Sequence, residues 1–332
     1  MSKSPITETQ ILRLLEKRFK RRSPGLVEGI GDDAAVIHPR GAGERWVITT
    51  DMLLEDIDFR NDWLTPAQLG HKALAANLSD LAAMGARPRF YTAALGLPSG
   101  VTEEWIDDFF GGMTRLGKKY GAALIGGDLS RSACGIQVTI TAIGETRRKK
   151  YLRRSGGRPG DLIYVTGTLG RAASGLKLLS DGARRGRTVA ERQALRAHRT
   201  PEPRCPAGEW LAQSGLAGGM MDLSDGLSLD LSRLCAASRT GAEIYAACLP
   251  LFAAARSWGC DPLDLGLNGG EDFELLFSVP PAKASRLENC YPEGHPPITR
   301  IGKLTRRKGL RLLSAPGMPP TFLTPSGFDH FL

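Results

Sequence analysis

The sequence is poor in the residues that most zinc sites and disulfide frameworks use. It has 332 residues, but only five histidines and six cysteines. The cysteines are scattered, and no two of them form a Cys-x-x-Cys pair. This spacing excludes a zinc ribbon and a disulfide frame. It is typical of reduced thiols in a cytoplasm, which is where we expect the protein to reside.

Other familiar signals are absent as well. No apolar run approaches the ~20 residues of a transmembrane helix, and the opening MSKSPITETQ lacks the apolar core of a signal peptide. We therefore expect no association with a membrane. The sequence also contains no GxxxxGK[ST] loop and no HRD motif followed by DFG. Two common ways of binding ATP, the P-loop and the protein-kinase apparatus, are thereby excluded.

Acidic residues are fewer than basic ones. There are 44 lysines and arginines against 35 aspartates and glutamates, which gives a net charge of +9. The basic runs at 16–22, 147–154 and 306–308 are separate and contain few aromatic residues. This pattern does not favour nucleic acid as a partner. Attraction of a phosphorylated small molecule fits the charge equally well.

The length predicts two domains, at ~100–200 residues each. Both halves mix strand-like and helix-like segments, so the predicted fold class is α/β or α+β. The basic, glycine-containing stretch 146–160 is typical of a linker. We therefore expect an N-terminal domain over residues 1–148 and a C-terminal domain over residues 149–332.

Capping patterns predict two helices in the first half. One lies within TETQILRLLEKRF and begins with a capping box at Thr7. The other covers 66–84, with Thr65 as its N-cap. The arginine-rich segment 181–206 is predicted to be a loop with a short helix.

Carboxylates recur beside glycines and at the ends of predicted strands. In α/β proteins these ends meet at a crevice where ligands bind, and glycines let the backbone approach a phosphate closely. The acids are Asp32 and Asp33 in GIGDDAAVI, Asp51 in WVITTD, Asp80 near the end of helix 66–84, Asp128 in IGGDLS, Asp222 and Asp225 in MDLSDG, and Glu271 and Asp272 in NGGEDFELLF.

Taken singly, these acids have ordinary explanations. Asp225 suits a helix N-cap, Asp33 a turn, and Asp80 a solvent-facing position.

Carboxylates cannot bind phosphate directly, because like charges repel. Clustered with threonine and glycine, and without histidine or cysteine, they instead favour Mg²⁺. The sequence thus predicts a nucleotide phosphate bridged by several Mg²⁺ ions. Arg154 is either a phosphate clamp or a linker arginine in water.

Eight motifs follow one another along the chain, from about residue 26 to residue 331. They are GIGDDAAV, TTDMLLEDIDF, HKALAANLSDLAAMGA, LIGGD, YVTGTLG, DLSDGL, NGGEDFELLF and GFDHF. Their order resembles that of the thiamine-monophosphate kinases. Single motifs are shared with aminoimidazole ribonucleotide synthetase, selenophosphate synthetase and the hydrogenase-maturation dehydratase. The full set, especially NLSDLAAMGA with GGEDFEL and GFDHF, is specific to the thiamine enzyme.

The resemblance implies a two-domain fold like that of aminoimidazole ribonucleotide synthetase. The strands of its mixed N-terminal domain pair with those of a second subunit in a homodimer, and a C-terminal α/β domain completes the site. It also implies the last step of thiamine diphosphate biosynthesis. In that reaction ATP and thiamine monophosphate give ADP and thiamine diphosphate, with Mg²⁺ and by direct in-line transfer.

The resemblance further implies roles for individual residues. The implied magnesium ligands are Asp33, Thr49, Thr50, Asp51, Asp80, Asp128 and Asp222, with Asp225 beside them. The implied catalytic residues are Asp51, Asp80, Asp128 and Asp225. The implied ATP contacts are Phe110, Gly127, Asp128, Arg154 and Ser224. The implied contacts to thiamine monophosphate are Asp58, Glu271 and Phe328.

Asp58 departs from the pattern, because the family usually has a histidine at this place. An ionised carboxylate cannot donate a hydrogen bond to the substrate phosphate, so Asp58 is expected to act through a metal or a water. Glu271 is expected to face the cationic thiazolium ring, and Phe328 to stack on a flat heterocycle. Asp272 is expected to support the turn.

Several rival functions make different demands on the sequence. Selenophosphate synthetase needs a reactive cysteine or selenocysteine early in the chain, but the first cysteine is Cys134. The maturation dehydratase needs a cysteine-bearing tail, but the chain ends in GFDHFL. A non-catalytic nucleotide sensor predicts lost metal carboxylates. An RNA-binding protein predicts strongly salt-dependent affinity for nucleic acid.

Overall fold

The computed structural model contains two mixed β-sheets with helices packed on them, which confirms the predicted fold class. The helix expected within residues 7–19 lies outside the described residues, as does the motif GFDHF beyond Phe328. Among the helices that are described, none has the length and apolar content needed to cross a membrane. The structure describes residues 25–29, 31–39, 41–147, 150–314 and 319–328.

The first half forms a six-stranded sheet in the order β1-β2-β3-β6-β4-β5. Strands β4 and β5 are parallel, and the other neighbouring strands are antiparallel. Because β3 lies inside the sheet, its polar residues are held in fixed register. The strands are β1 (Leu26–Glu28), β2 (Ala35–Ile37), β3 (Glu44–Leu54), β4 (Arg87–Leu97), β5 (Ala123–Arg131) and β6 (Gln137–Arg147).

Two long helices, α1 (Pro66–Ala83) and α2 (Glu103–Tyr120), pack against each other beside this sheet. The capping box at Thr65 is confirmed. The helices approach closely because glycines face the opposing backbone. A Cβ on Gly112 would lie 1.9 Å from the Ala67 carbonyl oxygen. This contact fixes the position of α1, whose C-terminal turn holds Asp80.

The second half forms a seven-stranded sheet in the order β13-β12-β9-β11-β7-β10-β8. Strands β9 and β12 are parallel, and the remaining neighbours are antiparallel. The strands are β7 (Leu162–Thr166), β8 (Met220–Asp222), β9 (Gly241–Tyr245), β10 (Leu275–Val279), β11 (Ile298–Thr305), β12 (Leu310–Leu313) and β13 (Thr321–Leu323).

Helices and short 3₁₀ turns connect these strands. The prediction of a loop with a short helix over 181–206 understated the helix, which has 11 residues and its own capping box at Thr188. The helices are α3 (Arg171–Ser180), α4 (Val189–Arg199), α5 (Cys205–Ser214), α6 (Leu227–Ser238), α7 (Pro262–Asn268) and α8 (Pro281–Cys290). The 3₁₀ turns are Arg154–Gly156, Ala246–Cys248 and Ala253–Trp258.

The two halves share one apolar core. Helix α5 of the second half packs on α1 of the first, and a Cβ on Gly208 would lie 2.0 Å from the Ala82 carbonyl oxygen. Leu78, Leu211 and Phe277 belong to the same buried cluster. The C-terminal turn of α1 is therefore held against β8, and acids from both halves meet at this junction.

Candidate active site

A cavity of about 870 Å³ lies at the junction of the two halves. Its wall combines the interior strand β3, the end of α1, the turn after β8 and the loop before β10. Most of the residues singled out in the sequence converge here. The predicted site residues in the wall are Asp33, Thr49, Thr50, Asp51, Asp58, Asp80, Arg154, Asp222, Ser224, Asp225, Glu271 and Phe328.

Three aspartates form the acidic centre of the cavity. Carboxylate oxygens of Asp33, Asp80 and Asp222 all lie within 4.8 Å of one another. The Thr49 hydroxyl donates to Asp80, and the Ser79 hydroxyl donates to Asp222 over 2.6 Å. These hydroxyls orient the carboxylates but do not neutralise their charge.

The crowding changes the proton affinity of these acids. Burial, and then repulsion from neighbouring aspartates, raises the pKa of Asp80 well above its usual range. Burial, and then Asp33, does the same for the pKa of Asp222. For Asp51, burial followed by Asp225, Asp33 and Asp58 raises the pKa to about 6. The site thus binds protons when no cation is present to balance its charge.

Arg154 provides one positive charge at the edge of this centre. Its guanidinium donates to Asp33 Oδ1 over 2.5 Å, and its backbone N–H donates to Asp32. The other oxygen of Asp33, Oδ2, is buried and finds no hydrogen-bond partner among the residues that the structure describes. A buried unpaired carboxylate oxygen is costly. This oxygen and the oxygen-only donor set fit a hard divalent cation such as Mg²⁺.

Asp225 is paired with a residue that the sequence analysis missed. Arg233 on α6 donates to Asp225 and, over 2.9 Å, to Asp230. Asp230 also accepts hydrogen bonds from the backbone N–H groups of Asp225 and Gly226, which fixes the turn at the start of α6. The sequence contained one signal for this ion pair. Asp230 and Arg233 are three residues apart, a spacing that places them on the same face of a helix.

The loop before β10 holds Glu271 at the other end of the cavity. Glu271 Oε1 lies 2.6 Å from Lys72 Nζ, and Oε2 lies 2.9 Å from His198 Nδ1. Neither partner was predicted, since both are distant from Glu271 in the sequence. Asp272 points the other way and accepts the backbone N–H groups of Gly170 and Ala172 at the start of α3. We expected Asp272 to support its own turn, and these bonds instead tie the loop to the start of α3.

Part of the cavity wall is apolar. Trp63, Leu176, Ile57 and Phe328 lie in this wall. Phe328 is 45% exposed and Ile57 is 58% exposed, so both offer apolar surface to a ligand. Asp58 accepts the backbone N–H of Leu54 over 2.8 Å, which fixes its loop on the β3 side of the cavity.

Three predicted residues lie elsewhere. Phe110, Gly127 and Asp128 line a separate depression of about 390 Å³ beside β5. Asp128 is exposed within this strand, and the Ser130 hydroxyl donates to it. The fold of one chain therefore does not bring Asp128 to the acidic centre.

Comparisons with known proteins agree with this geometry. The N-terminal domain model of AIR synthase related proteins matches residues 31–146, and the C-terminal domain model matches residues 158–314. The thiamine-monophosphate kinase of Escherichia coli (strain K12) is 40% identical over 307 residues, covering 91% of each chain.

Solved structures give the same result. A thiamine-monophosphate kinase from Stenotrophomonas maltophilia K279a is 35% identical, with a TM-score of 0.76 over 93% of this chain and 97% of that one. AaThiL complexed with AMPPCP and TMP is 28% identical, with a TM-score of 0.86 over 100% of both chains. With the motifs, the fold and the acidic centre in agreement, the chain belongs to the thiamine-monophosphate kinase family.

Proposed function

We propose that this protein transfers the γ-phosphoryl group of ATP to thiamine monophosphate, which yields ADP and thiamine diphosphate. The observation that supports this most directly is the convergence of Asp33, Asp80 and Asp222 in one cavity with Glu271 and an apolar wall. One end suits the phosphates and their counter-ions, and the other suits a cationic heterocycle. The relative complexed with AMPPCP and TMP supports the same pair of substrates.

Mg²⁺ belongs at the acidic end in this proposal. The residues that would hold it are Asp33, Thr49, Thr50, Asp51, Asp80, Asp222 and, beside them, Asp225. When bound there, Mg²⁺ neutralises phosphate charge, which is the main barrier when two anionic groups react. The buried, unpartnered Asp33 Oδ2 supports this assignment.

The chain's own residues position the two substrates. Arg154 is anchored through Asp33 and extends its guanidinium toward the acidic end, where it can donate to a phosphate oxygen as a second partner. Ser224, in the turn after β8, lies on the same wall and contacts ATP in this proposal. Glu271 faces the thiazolium ring, and Phe328 stacks on a ring of thiamine. The acceptor oxygen of thiamine monophosphate then attacks the γ-phosphorus, and ADP leaves.

A homodimer belongs to this proposal as well. All nine residues of the edge strand β5 are exposed. They include Leu129, which is 67% exposed, and Ile125, which is 56% exposed. An open, apolar edge strand is a ready site for pairing with another chain. Phe110, Gly127 and Asp128 line the depression beside this strand, so a second copy paired there would enclose these proposed ATP and metal contacts.

Sedimentation velocity of the protein and of Ile125→Asp tests the dimer. We expect the wild-type protein to sediment as a dimer and the variant as a monomer with little activity. A monomeric, fully active wild-type protein would refute this part of the proposal.

We also propose a cytoplasmic location, and the six free cysteines support it.

The activity is tested with purified protein, ATP, Mg²⁺ and thiamine monophosphate, and the products are resolved by chromatography. Free thiamine and aminoimidazole precursors are run in parallel. We expect thiamine diphosphate only from the monophosphate, and none with EDTA or with Asp51→Asn. Asp107→Asn, on the exposed face of α2, is the matched control and should keep full activity. ATP binding without thiamine diphosphate would overturn the proposal and direct attention to the sister synthetases.

A further inference from the structure

Lys72, His198 and Glu271 form a closed polar network behind the apolar end of the cavity. The Lys72 ammonium lies 2.6 Å from Glu271 Oε1 and 3.5 Å from His198 Nε2. His198 Nδ1 lies 2.9 Å from Glu271 Oε2. Lys72 is 1% exposed and His198 is 2% exposed. Each member thus contacts both of the others.

The contacts favour one protonation state of His198. A carboxylate only accepts hydrogen bonds, so a proton on Nδ1 suits the position of this atom 2.9 Å from Glu271 Oε2, although the pair does not have the alignment of a hydrogen bond. Lys72 only donates, so His198 Nε2 must accept from it. The imidazole is therefore neutral in one tautomer. Burial, and then the Lys72 ammonium, lowers the pKa of His198, in agreement with this assignment.

Glu271 stays ionised despite its position. Burial alone would raise its pKa, but Lys72 and then His198 outweigh burial and lower the pKa to about 2. Each carboxylate oxygen has one nitrogen of the network within 3 Å, Lys72 Nζ or His198 Nδ1, and each oxygen can accept from a second group. The Glu271 side chain is 28% exposed and lines the cavity, so the remaining acceptor capacity is available to a ligand there.

Holding Glu271 in this way is costly. Burying an ammonium and an imidazole requires desolvation of both. The Glu271 backbone also has a φ of +65°, a left-handed conformation that is unfavourable for a residue with a side chain. Such costs persist where the surrounding structure over-determines a functional group. Three separate elements, namely α1, α4 and the loop before β10, converge to hold one carboxylate.

We propose that Lys72 and His198 are positioning residues that hold the Glu271 carboxylate against the cationic ring of thiamine monophosphate and thereby set the affinity for it. This inference rests on the proposed kinase function. His198 also lines the cavity, whereas Lys72 acts from behind Glu271. The role is distinct from that of the acidic centre, which handles the phosphates.

The test compares Lys72→Met, His198→Leu and His198→Asn in steady-state kinetics with each substrate varied in turn. The Asn amide can donate where Nδ1 does, so His198→Asn should retain near wild-type behaviour. Loss of a hydrogen bond to a charged group predicts a rise of about tenfold or more in KM for thiamine monophosphate in the other two variants. The KM for ATP should stay the same, and kcat should fall much less.

Arg204→Met is the matched control. Arg204 forms a two-pronged ion pair with Glu274, on the same segment as Glu271, but neither residue lines the cavity. This variant should lower the melting temperature and leave both KM values unchanged. If Lys72→Met does not fold, the comparison of His198→Leu with His198→Asn still tests the inference.

Two results would overturn the inference. One is active variants of Lys72 and His198 with an unchanged KM for thiamine monophosphate. The other is an equal rise in the KM for ATP and the KM for thiamine monophosphate, or an equal rise in the KM for thiamine monophosphate in the Arg204→Met control. Either outcome would indicate a purely structural role. A wild-type protein that forms no thiamine diphosphate would instead refute the proposed function, so the two failures are distinguishable.

Discussion

Replacing Asp80 by asparagine should stabilise the metal-free protein and at the same time destroy its response to Mg²⁺. Asp80, Asp33 and Asp222 place carboxylate oxygens within 4.8 Å of one another. At this separation two unit charges repel by about 3 kcal/mol at an effective dielectric constant of ~20. Protonation relieves part of this repulsion, because burial and the neighbouring aspartates raise the pKa of Asp80.

Asparagine removes the charge but keeps an oxygen that can accept from Thr49. We therefore expect Asp80→Asn to raise the free energy of unfolding of the metal-free protein by about 1–3 kcal/mol at pH 7. For a chain of 332 residues that corresponds to a melting temperature about 1.5–4 °C higher. Wild-type protein should gain about 2.7 kcal/mol from Mg²⁺ at one hundred times its dissociation constant, and the variant should gain almost nothing.

The assay is differential scanning calorimetry with EDTA or with millimolar MgCl₂. Asp107→Asn on the exposed face of α2 is the control, and its stability should change by less than about 0.5 kcal/mol. A metal-free Asp80→Asn protein that melts below wild type would refute the argument from charge crowding. A variant that Mg²⁺ still stabilises as much as wild type would refute the assignment of Asp80 as a ligand.

Three further predictions follow from the same geometry. Stabilisation by Mg²⁺ should grow as the pH rises from 5 to 8. The pKa of Asp51 is raised from 3.8 to about 6, so the contribution of this group to the stability of the metal-free protein is lost as the pH rises through 6. Over the same range fewer protons compete with Mg²⁺ for the carboxylate. Equal melting shifts at both pH values would contradict this. Arg154→Met removes the partly buried partner of the buried Asp33 carboxylate and should cost roughly 3–5 kcal/mol in chemical denaturation with EDTA. The KM for ATP should rise as well, and an unchanged unfolding midpoint would contradict the pairing. Gly112→Ala places a methyl group against the Ala67 carbonyl and should lower the unfolding free energy by about 1–3 kcal/mol. Gly111→Ala, on the same helix and facing only the end of the Arg115 side chain, is the control. Equal changes in both variants would show that the helix contact is unimportant.

Local patterns in the sequence predicted the elements that depend on local interactions. The capping box at Thr65 located the start of α1, and glycines beside Asp33 and Glu271 marked the turns that line the cavity. The helix over 189–199 was underestimated, because its arginine-rich surface resembles that of a solvated loop. The domain boundary near residue 148 and the roles of the site residues stay predictions.

The sequence by itself determined the chemical character of the site. The oxygen donors lie in short motifs, and their residue types alone indicate a hard divalent cation. The expectation that the donors lie at strand ends was wrong for Asp51, which lies with Thr49 inside β3, and Asp80 lies on α1. The tertiary structure decided which groups balance those charges. Arg154 with Asp33, and Lys72 with Glu271, are pairs that only folding brings together. Their energies depend on burial and on distances of a few ångströms, and neither quantity is encoded in local spacing. The tertiary structure also separated Asp128 from the acidic centre, because β5 lies at the edge of the sheet whereas β3 lies inside it.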